Sequence, residues 1–272
     1  MEKPLILLTN DDGYNSPGLL AAANALLDLG ELLIVAPLVQ QSGMSRAWLP
    51  GSTGAIYLQQ VEVGGVTLPA YAVDGSPSQA VAHALLRVAP RRPDLAVSGI
   101  NYGQNVGTAV TSSGTVGAAL EAAISGIPSL AVSLEMDQAY YHSHSDEIDF
   151  SVAAHFAWLF ARRLLALPLP ADVDVLKVDI PCDATPETPW RITRQSRRRF
   201  FVALPPERAP FGEPVRVDYR LDPSTSEPGT DTHTLSVRRR VSVTPLSFDL
   251  TSRTDLDHLE QVLSDGFDPA ST

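Results

Sequence analysis

Cysteine is nearly absent. Cys182 is the single one in 272 residues, so no disulfide can join two parts of the chain, and a reducing cytoplasm suits it. Long apolar runs are missing as well. No stretch approaches the roughly 20 apolar residues of a membrane span. The first run, residues 5–8, is too short for a signal-peptide core and gives way at once to Asn10-Asp11-Asp12. Basic residues are few, 20 against 31 acidic, for a formal net charge of -11. Such a chain repels a phosphate backbone, which argues against binding nucleic-acid polymers. A small phosphorylated ligand stays open, because a bound cation reverses the local field. Charged residues at 19% beside 44% hydrophobic ones describe a folded chain rather than a disordered one. The length suits one α/β domain with an extension, or two small domains. The expectation is a cytoplasmic protein without membrane contact.

What is present is a strand–helix alternation. Residues 5–9 read as a buried strand closed by Asn10-Asp11-Asp12-Gly13. Ser16-Pro17 is a cap followed by Pro at the first helical position, and residues 32–36 form the next strand, completing a βαβ unit. Residues 55–63 and 67–73 look like a hairpin turning at Gly64-Gly65, and Ser76-Pro77 opens a second helix. Further strands are expected at 95–98 and 129–134, a glycine-rich loop at 99–107, and helices at 113–125, ended by Gly126, and at 150–165. After Pro168 the texture changes to Pro, clustered Arg and strand-like pieces at 175–180, 190–193, 215–219, 234–237 and 241–244, with a closing helix at 255–263. The expected fold class is α/β: a Rossmann-like, mostly parallel sheet with helices on both faces over residues 1–167, then a β-rich extension over 168–272.

In an open α/β sheet, ligands bind beyond the carboxyl ends of the strands. One such loop carries Asn10, Asp11 and Asp12; another carries Gln40, Gln41, Ser42 and Ser45; a third carries Asn101 and Asn105. The following helix starts at Ser112-Ser113-Gly114-Thr115. Two adjacent carboxylates in a partly buried turn require a cation or a proton. Hard oxygen donors suit magnesium, manganese or calcium, and no His/Cys cluster accompanies them to favour zinc. A Ser-Gly-Thr helix start offers free N–H groups and hydroxyls, an arrangement that binds phosphate. Each piece alone is more ordinary: Asn-Asp-Asp-Gly is a common turn and Ser-Gly-Thr a common cap. Their convergence on one sheet edge is what points to a site. His142 and His144 read as a solvated loop, the arginines at 197–199 and 238–240 as surface or interface residues, and Trp48, Trp158 and Trp190 as packing residues.

Thr9-Asn10-Asp11-Asp12-Gly13, Ala36-Pro37 with Gln41-Ser42-Gly43, the segment from Ser98 to Asn105, and that from Ser113 to Ala119 together resemble the stationary-phase survival protein SurE family. Thr193 to Arg198 and Val241 to Thr251 extend the likeness, in the same order, over nearly the whole chain. The resemblance implies a divalent-metal-dependent nucleotidase acting on nucleoside 5′- and 3′-monophosphates and also on short polyphosphate. It implies one divalent cation per subunit, Mg²⁺ or Mn²⁺, held by Asp11, Asp12, Ser42 and Asn101, with Asp11 and Asp12 as catalytic carboxylates. Phosphate-binding surroundings carry over to Asn10, Asn105, Ser113, Gly114 and Thr115. It also implies a homo-oligomer, dimer or tetramer, that exchanges its C-terminal β segment between subunits.

The first strand end lacks the Asp-x-Asp spacing that precedes an aspartyl-phosphate, so direct attack by water is expected. Two rivals remain. A non-catalytic nucleotide-sensing module would use the same loops without turnover. A sugar-nucleotide transferase would use the Asp pair but needs a second basic anion site, which the core does not offer.

Overall fold

The computed structural model describes residues 3–141, 145 and 147–265; His142 and His144 lie outside them. Nine strands form one sheet in the order β3-β4-β2-β1-β5-β6-β7-β11-β8. The elements, in chain order, are β1 (Leu5–Thr9), α1 (Pro17–Leu26), β2 (Glu31–Pro37), β3 (Ile56–Val63), β4 (Val66–Val73) and α2 (Pro77–His83). Next come β5 (Leu95–Tyr102), α3 (Gly114–Ile124), β6 (Ser129–Leu134), α4 (Ser151–Ala166) and β7 (Val175–Ile180). The remainder are β8 (Trp190–Ile192), β9 (Phe201–Ala203), β10 (Tyr219–Leu221), α5 (Asp231–Ser236), β11 (Val241–Leu246) and α6 (Leu256–Asp265).

Strands β4, β2, β1, β5, β6 and β7 run parallel, while β3 joins β4 and β11 joins β7 antiparallel. Alternation along the strands divides the core. Ile6 and Leu8 face α1 and α4 with Leu19, Leu26, Phe156 and Phe160, while Leu5 and Leu7 face α2 and α3 with Val81, Ala84, Ala118 and Ala122. Both faces are therefore covered, which is why the parallel strands are mostly apolar. The caps are the ones legible in the sequence. Ser16 accepts from the Leu19 N–H at 3.3 Å, and Ser76 and Gln79 form a capping box. No helix among the described residues is long and apolar enough to cross a membrane.

From β1 the chain moves through β2 to the β3–β4 edge, then returns to β5 on the other side of β1. The strand order thus reverses between β1 and β5, and the crevice beyond their carboxyl ends is the expected ligand position.

Four expectations need correction. β5 does not stop at Ser98 but runs through the expected loop to Tyr102, with a register shift against β6 between Ser98 and Asn101. A glycine inside a strand here marks an irregularity, not an end. The segment 234–237 is not a strand. It belongs to α5, started by Thr230, whose side chain accepts from the His233 N–H, so the cap outweighed a short alternating pattern. The strand expected at 215–219 begins only at Tyr219 and pairs with β9 in a separate two-stranded ribbon. Trp48 is 58% exposed rather than packed. In addition, the sheet crosses residue 167, because β7, β11 and β8 extend it beyond β6.

Candidate active site

The turn after β1 is built by Asn10. Its fully buried amide donates to the Gly13 carbonyl at 3.1 Å and the Ser16 hydroxyl at 2.7 Å, and accepts from the Gly13 N–H at 3.1 Å. Every polar atom of this side chain bonds within the turn, so Asn10 holds the turn in shape. The next two residues are Asp11 and Asp12, 3% and 1% exposed.

Each carboxylate is held separately. Thr115 donates its hydroxyl to Asp11 Oδ1 at 2.6 Å, and the backbone N–H groups of Gly114 and Thr115 also bear on Asp11. The N-terminus of α3 is therefore aimed at a carboxylate, as its dipole favours. Gln40 donates to Asp12 Oδ1 at 2.9 Å, and the Tyr102 N–H approaches Oδ2 at 3.4 Å. Burial nevertheless pushes Asp11 up to about 6, against the lowering effect of these donors. Asp12 is pushed well above the usual carboxylate range by burial first and by the charge of Asp11 second.

Close approach of α3 depends on small residues. A Cβ at Gly114 would stand 2.7 Å from Asp11 Cβ and Oδ2, and one at Gly117 would stand 2.1 Å from the Ser45 carbonyl oxygen. Glycine at these two positions lets the helix touch both the Asp turn and the loop that carries Ser42.

An open cavity of about 370 Å³ lies at this edge, lined by Asp11, Ser42, Asn101, Asn105 and Ser113 together with Tyr102, Gln104, Tyr141, Phe201 and Tyr219. Asn101 donates its amide to the Gly103 carbonyl at 2.6 Å, which leaves its oxygen as the atom a cation would meet. Asn105 donates to the Ser133 hydroxyl at 3.0 Å, and its backbone N–H donates to Asp179 Oδ1 at 2.7 Å. Asp179 belongs to a fully buried cluster with Lys177 and Asp231. Burial alone would discharge Lys177, but its two carboxylate partners keep it positive. Asp231 in turn accepts from the Gly107 and Ser196 N–H groups, both at 2.9 Å. The cluster thus anchors the loop that presents Asn105.

The structure brings Asp11, Ser42, Asn101, Asn105 and Ser113 to one cavity. Asp12 lies beside it, and Gly114 and Thr115 serve Asp11 from behind. Sequence reasoning gave no role to Gln104, although it lies in the family-like segment from Ser98 to Asn105, and missed Tyr141, Phe201 and Tyr219, which come from separate segments and carry no local motif. It also missed Lys177 and Asp179, although two charges in an apolar strand were a visible signal. Among the described residues, Glu135, Cys182 and Asp183 form a second group of metal-ligand type. Arg239 occupies it, with one nitrogen 2.6 Å from Glu135 and 2.5 Å from Asp183. The arginines at 197–199 are exposed.

Residues 6–201 match the family model described as Survival protein SurE. A 5′-nucleotidase SurE of Thermococcus gammatolerans is 45% identical over 95% of this chain and 95% of its own length. That of Thermococcus kodakarensis is 43% identical over 95% and 98%. The crystal structure of the SurE protein from Aquifex aeolicus superposes with a TM-score of 0.76 at 31% identity, covering 96% of this chain and all of that one.

Replacing Thr115 with Val removes the hydroxyl donor to Asp11. That donor favours the ionised carboxylate, which exists above a pH of about 6. The expected loss of stability is roughly 1–3 kcal/mol at pH 8 and smaller at pH 5, where Asp11 is protonated. Denaturant unfolding at the two pH values reads the difference. An equal loss at both would mean that Thr115 acts by packing alone.

Proposed function

The chain belongs to the SurE family, and from that premise we propose that it is a divalent-metal-dependent phosphomonoesterase that releases phosphate from nucleoside monophosphates. Hydrolysis of the 5′-nucleotidase kind is what its curated relatives carry by name. The finer reading adds action on 3′-monophosphates and on short polyphosphate, with Mg²⁺ or Mn²⁺ as the cation, in the cytoplasm. The observation that carries it is the pair of adjacent buried carboxylates at the strand-order reversal, of which Asp11 lines one cavity with Ser42 and Asn101 while Asp12 lies beside it.

The donor set fits a hard divalent cation. Two carboxylates whose burial raises their affinity for protons are under-neutralised, and all candidate donors are oxygens. Asp11, Asp12, Ser42 and Asn101 would hold it. A divalent cation bound there supplies Lewis acidity for phosphate-ester hydrolysis.

The chain's own groups do the rest. Thr115 and the first N–H groups of α3 fix the orientation of Asp11, while Gln40 fixes Asp12. Ser113 accepts from the Val116 N–H at 3.1 Å, so its hydroxyl proton is free to point at a phosphoryl oxygen. Asn105 lines the same cavity from a backbone pinned by Asp179, and its amide N–H groups donate to the Ser133 and Thr115 hydroxyls. Charge that develops on the transferring phosphoryl group meets the Ser113 hydroxyl, already held in place at the start of α3. As the water oxygen bonds to phosphorus, a carboxylate of the Asp pair takes the water's proton, the bond from phosphorus to the nucleoside oxygen breaks, and that oxygen leaves as the nucleoside hydroxyl with a proton from solvent.

The same reading includes assembly with a second copy of the chain. Phe248 and Leu250 after β11, and Leu256, Leu259, Val262 and Leu263 on α6, are 41–89% exposed. An uncovered apolar run of this kind is a liability unless a partner hides it. Closed two-fold exchange of the C-terminal β segment would hide it, with residues from about 190 to 250 supplying much of the contact.

Two measurements test these readings. Phosphate release from a panel of nucleotides should require added Mn²⁺ or Mg²⁺ and fall roughly a hundredfold or more in Asp11→Asn and in Asp12→Asn. The metal-free melting temperature of either variant should not fall, because a desolvated charge has been removed. Wild-type protein that binds nucleotide with metal present and releases no phosphate would instead be a sensing module. For assembly, light scattering at micromolar concentration should give at least twice the 29.1 kDa chain mass; a clean monomer would contradict it.

A further inference from the structure

The cavity that Asp11 lines has an aromatic wall that phosphate chemistry does not use. Tyr141 follows β6 after a short turn, Phe201 starts β9 and Tyr219 starts β10. The Phe201 and Tyr219 rings meet edge to face, with centroids 5.5 Å apart and planes at 74°. Rings in this arrangement brace each other and leave ring surface for a third π-system.

Gln104 shares the lining. It is 3% exposed, and Tyr141 donates its hydroxyl to Gln104 Oε1 at 3.3 Å. That bond directs the other end of the amide away from Tyr141. The amide nitrogen is buried and has no hydrogen-bond partner among the described residues. An unsatisfied buried N–H₂ is unfavourable by itself and calls for an acceptor. In a residue that lines a cavity, a ligand is the natural source of one. The cavity, at about 370 Å³, falls in the range of small-molecule pockets, roughly 300–1,000 Å³.

We infer that Gln104, Tyr141, Phe201 and Tyr219 form the subsite for the nucleoside portion of the substrate, with the base against the aromatic wall and a sugar or base acceptor on the Gln104 amide. The inference rests on the phosphomonoesterase reading for the position of the phosphate, and it adds what distinguishes a nucleotide from any other phosphate ester. Every base has a π-face, so the wall gives affinity with broad base tolerance. The Gln104 amide, a donor, selects for an acceptor on the nucleoside. Tyr141 is a positioning residue, because it orients that amide. Its hydroxyl stays protonated and able to donate, since burial foremost, and then the charges near it, push it above the ordinary tyrosine range.

The test compares adenosine monophosphate with glycerol phosphate, which has a phosphate and no ring. With Mn²⁺ present, the ratio of kcat/KM for the two esters should fall roughly tenfold in Gln104→Leu and in Tyr219→Ala, chiefly through KM for the nucleotide. Tyr219 lies in the exposed ribbon, so its truncation keeps the question open to experiment if Gln104→Leu fails to fold. An unchanged ratio in the folded variants overturns the inference. Titration with adenosine, which has no phosphate, separates the two readings. If the wild-type protein releases phosphate from neither ester, the phosphomonoesterase reading has failed. Adenosine binding then still decides the subsite: roughly tenfold weaker binding by the variants supports it, and equal or undetectable binding by all three proteins overturns it.

Discussion

Two carboxylates that follow one another in the chain, both withdrawn from water, repel each other in a medium that screens little. Asp11 and Asp12 are placed in this position by a turn that Asn10 closes with three hydrogen bonds. The surroundings answer the repulsion only in part. The N-terminus of α3 and the Thr115 hydroxyl serve one carboxylate, and Gln40 with the Tyr102 N–H serves the other. Both groups still hold protons more tightly than an ordinary aspartate does. This shortage of positive charge is the physical basis for the cation site proposed above.

The sheet and helices around the pair follow from that requirement. Strand order reverses between β1 and β5, so helices depart to opposite faces and open a crevice at this point. The register shift in β5 carries Asn101 past the end of a regular strand to the same edge. Glycines at 114 and 117 bring α3 close enough to touch Asp11 and the Ser42 loop together. The buried cluster of Lys177, Asp179 and Asp231 ties the Asn105 loop to β7 and to α5. The C-terminal part of the chain is thus mechanically linked to the site as well as to the sheet.

Much of this was legible in the sequence, for reasons that are local. Strands β1 and β6 are buried on both faces and so read as short, mostly apolar runs, and Ser16-Pro17 and Ser76-Pro77 place two helix starts through capping alone. That Asp11, Ser42 and Asn101 meet at one edge was legible because each follows an expected strand of the parallel sheet. Ser113, Gly114 and Thr115 were legible as an anion-binding helix start, and in the structure Gly114 and Thr115 bear on the carboxylate of Asp11. What sequence could not reveal is where distant segments meet. Gln104 and Tyr141 are 37 residues apart, and the Phe201–Tyr219 contact depends on pairing across a long connection. Glycine at 99 hid the continuation of β5, and Thr234 to Val237 alternated like a strand while Thr230 had already capped a helix.

The central claim is that the Asp pair is a cation site at the phosphate end of a nucleotide pocket. Anomalous diffraction at the manganese edge, from crystals grown with Mn²⁺ and a nucleoside monophosphate, tests it most directly. The account predicts one dominant peak within ligand distance of Asp11, Asp12, Ser42 and Asn101, with a phosphate oxygen beside it. A peak only at the Glu135, Cys182 and Asp183 group, or a nucleotide bound with the Asp pair free of metal, would contradict it.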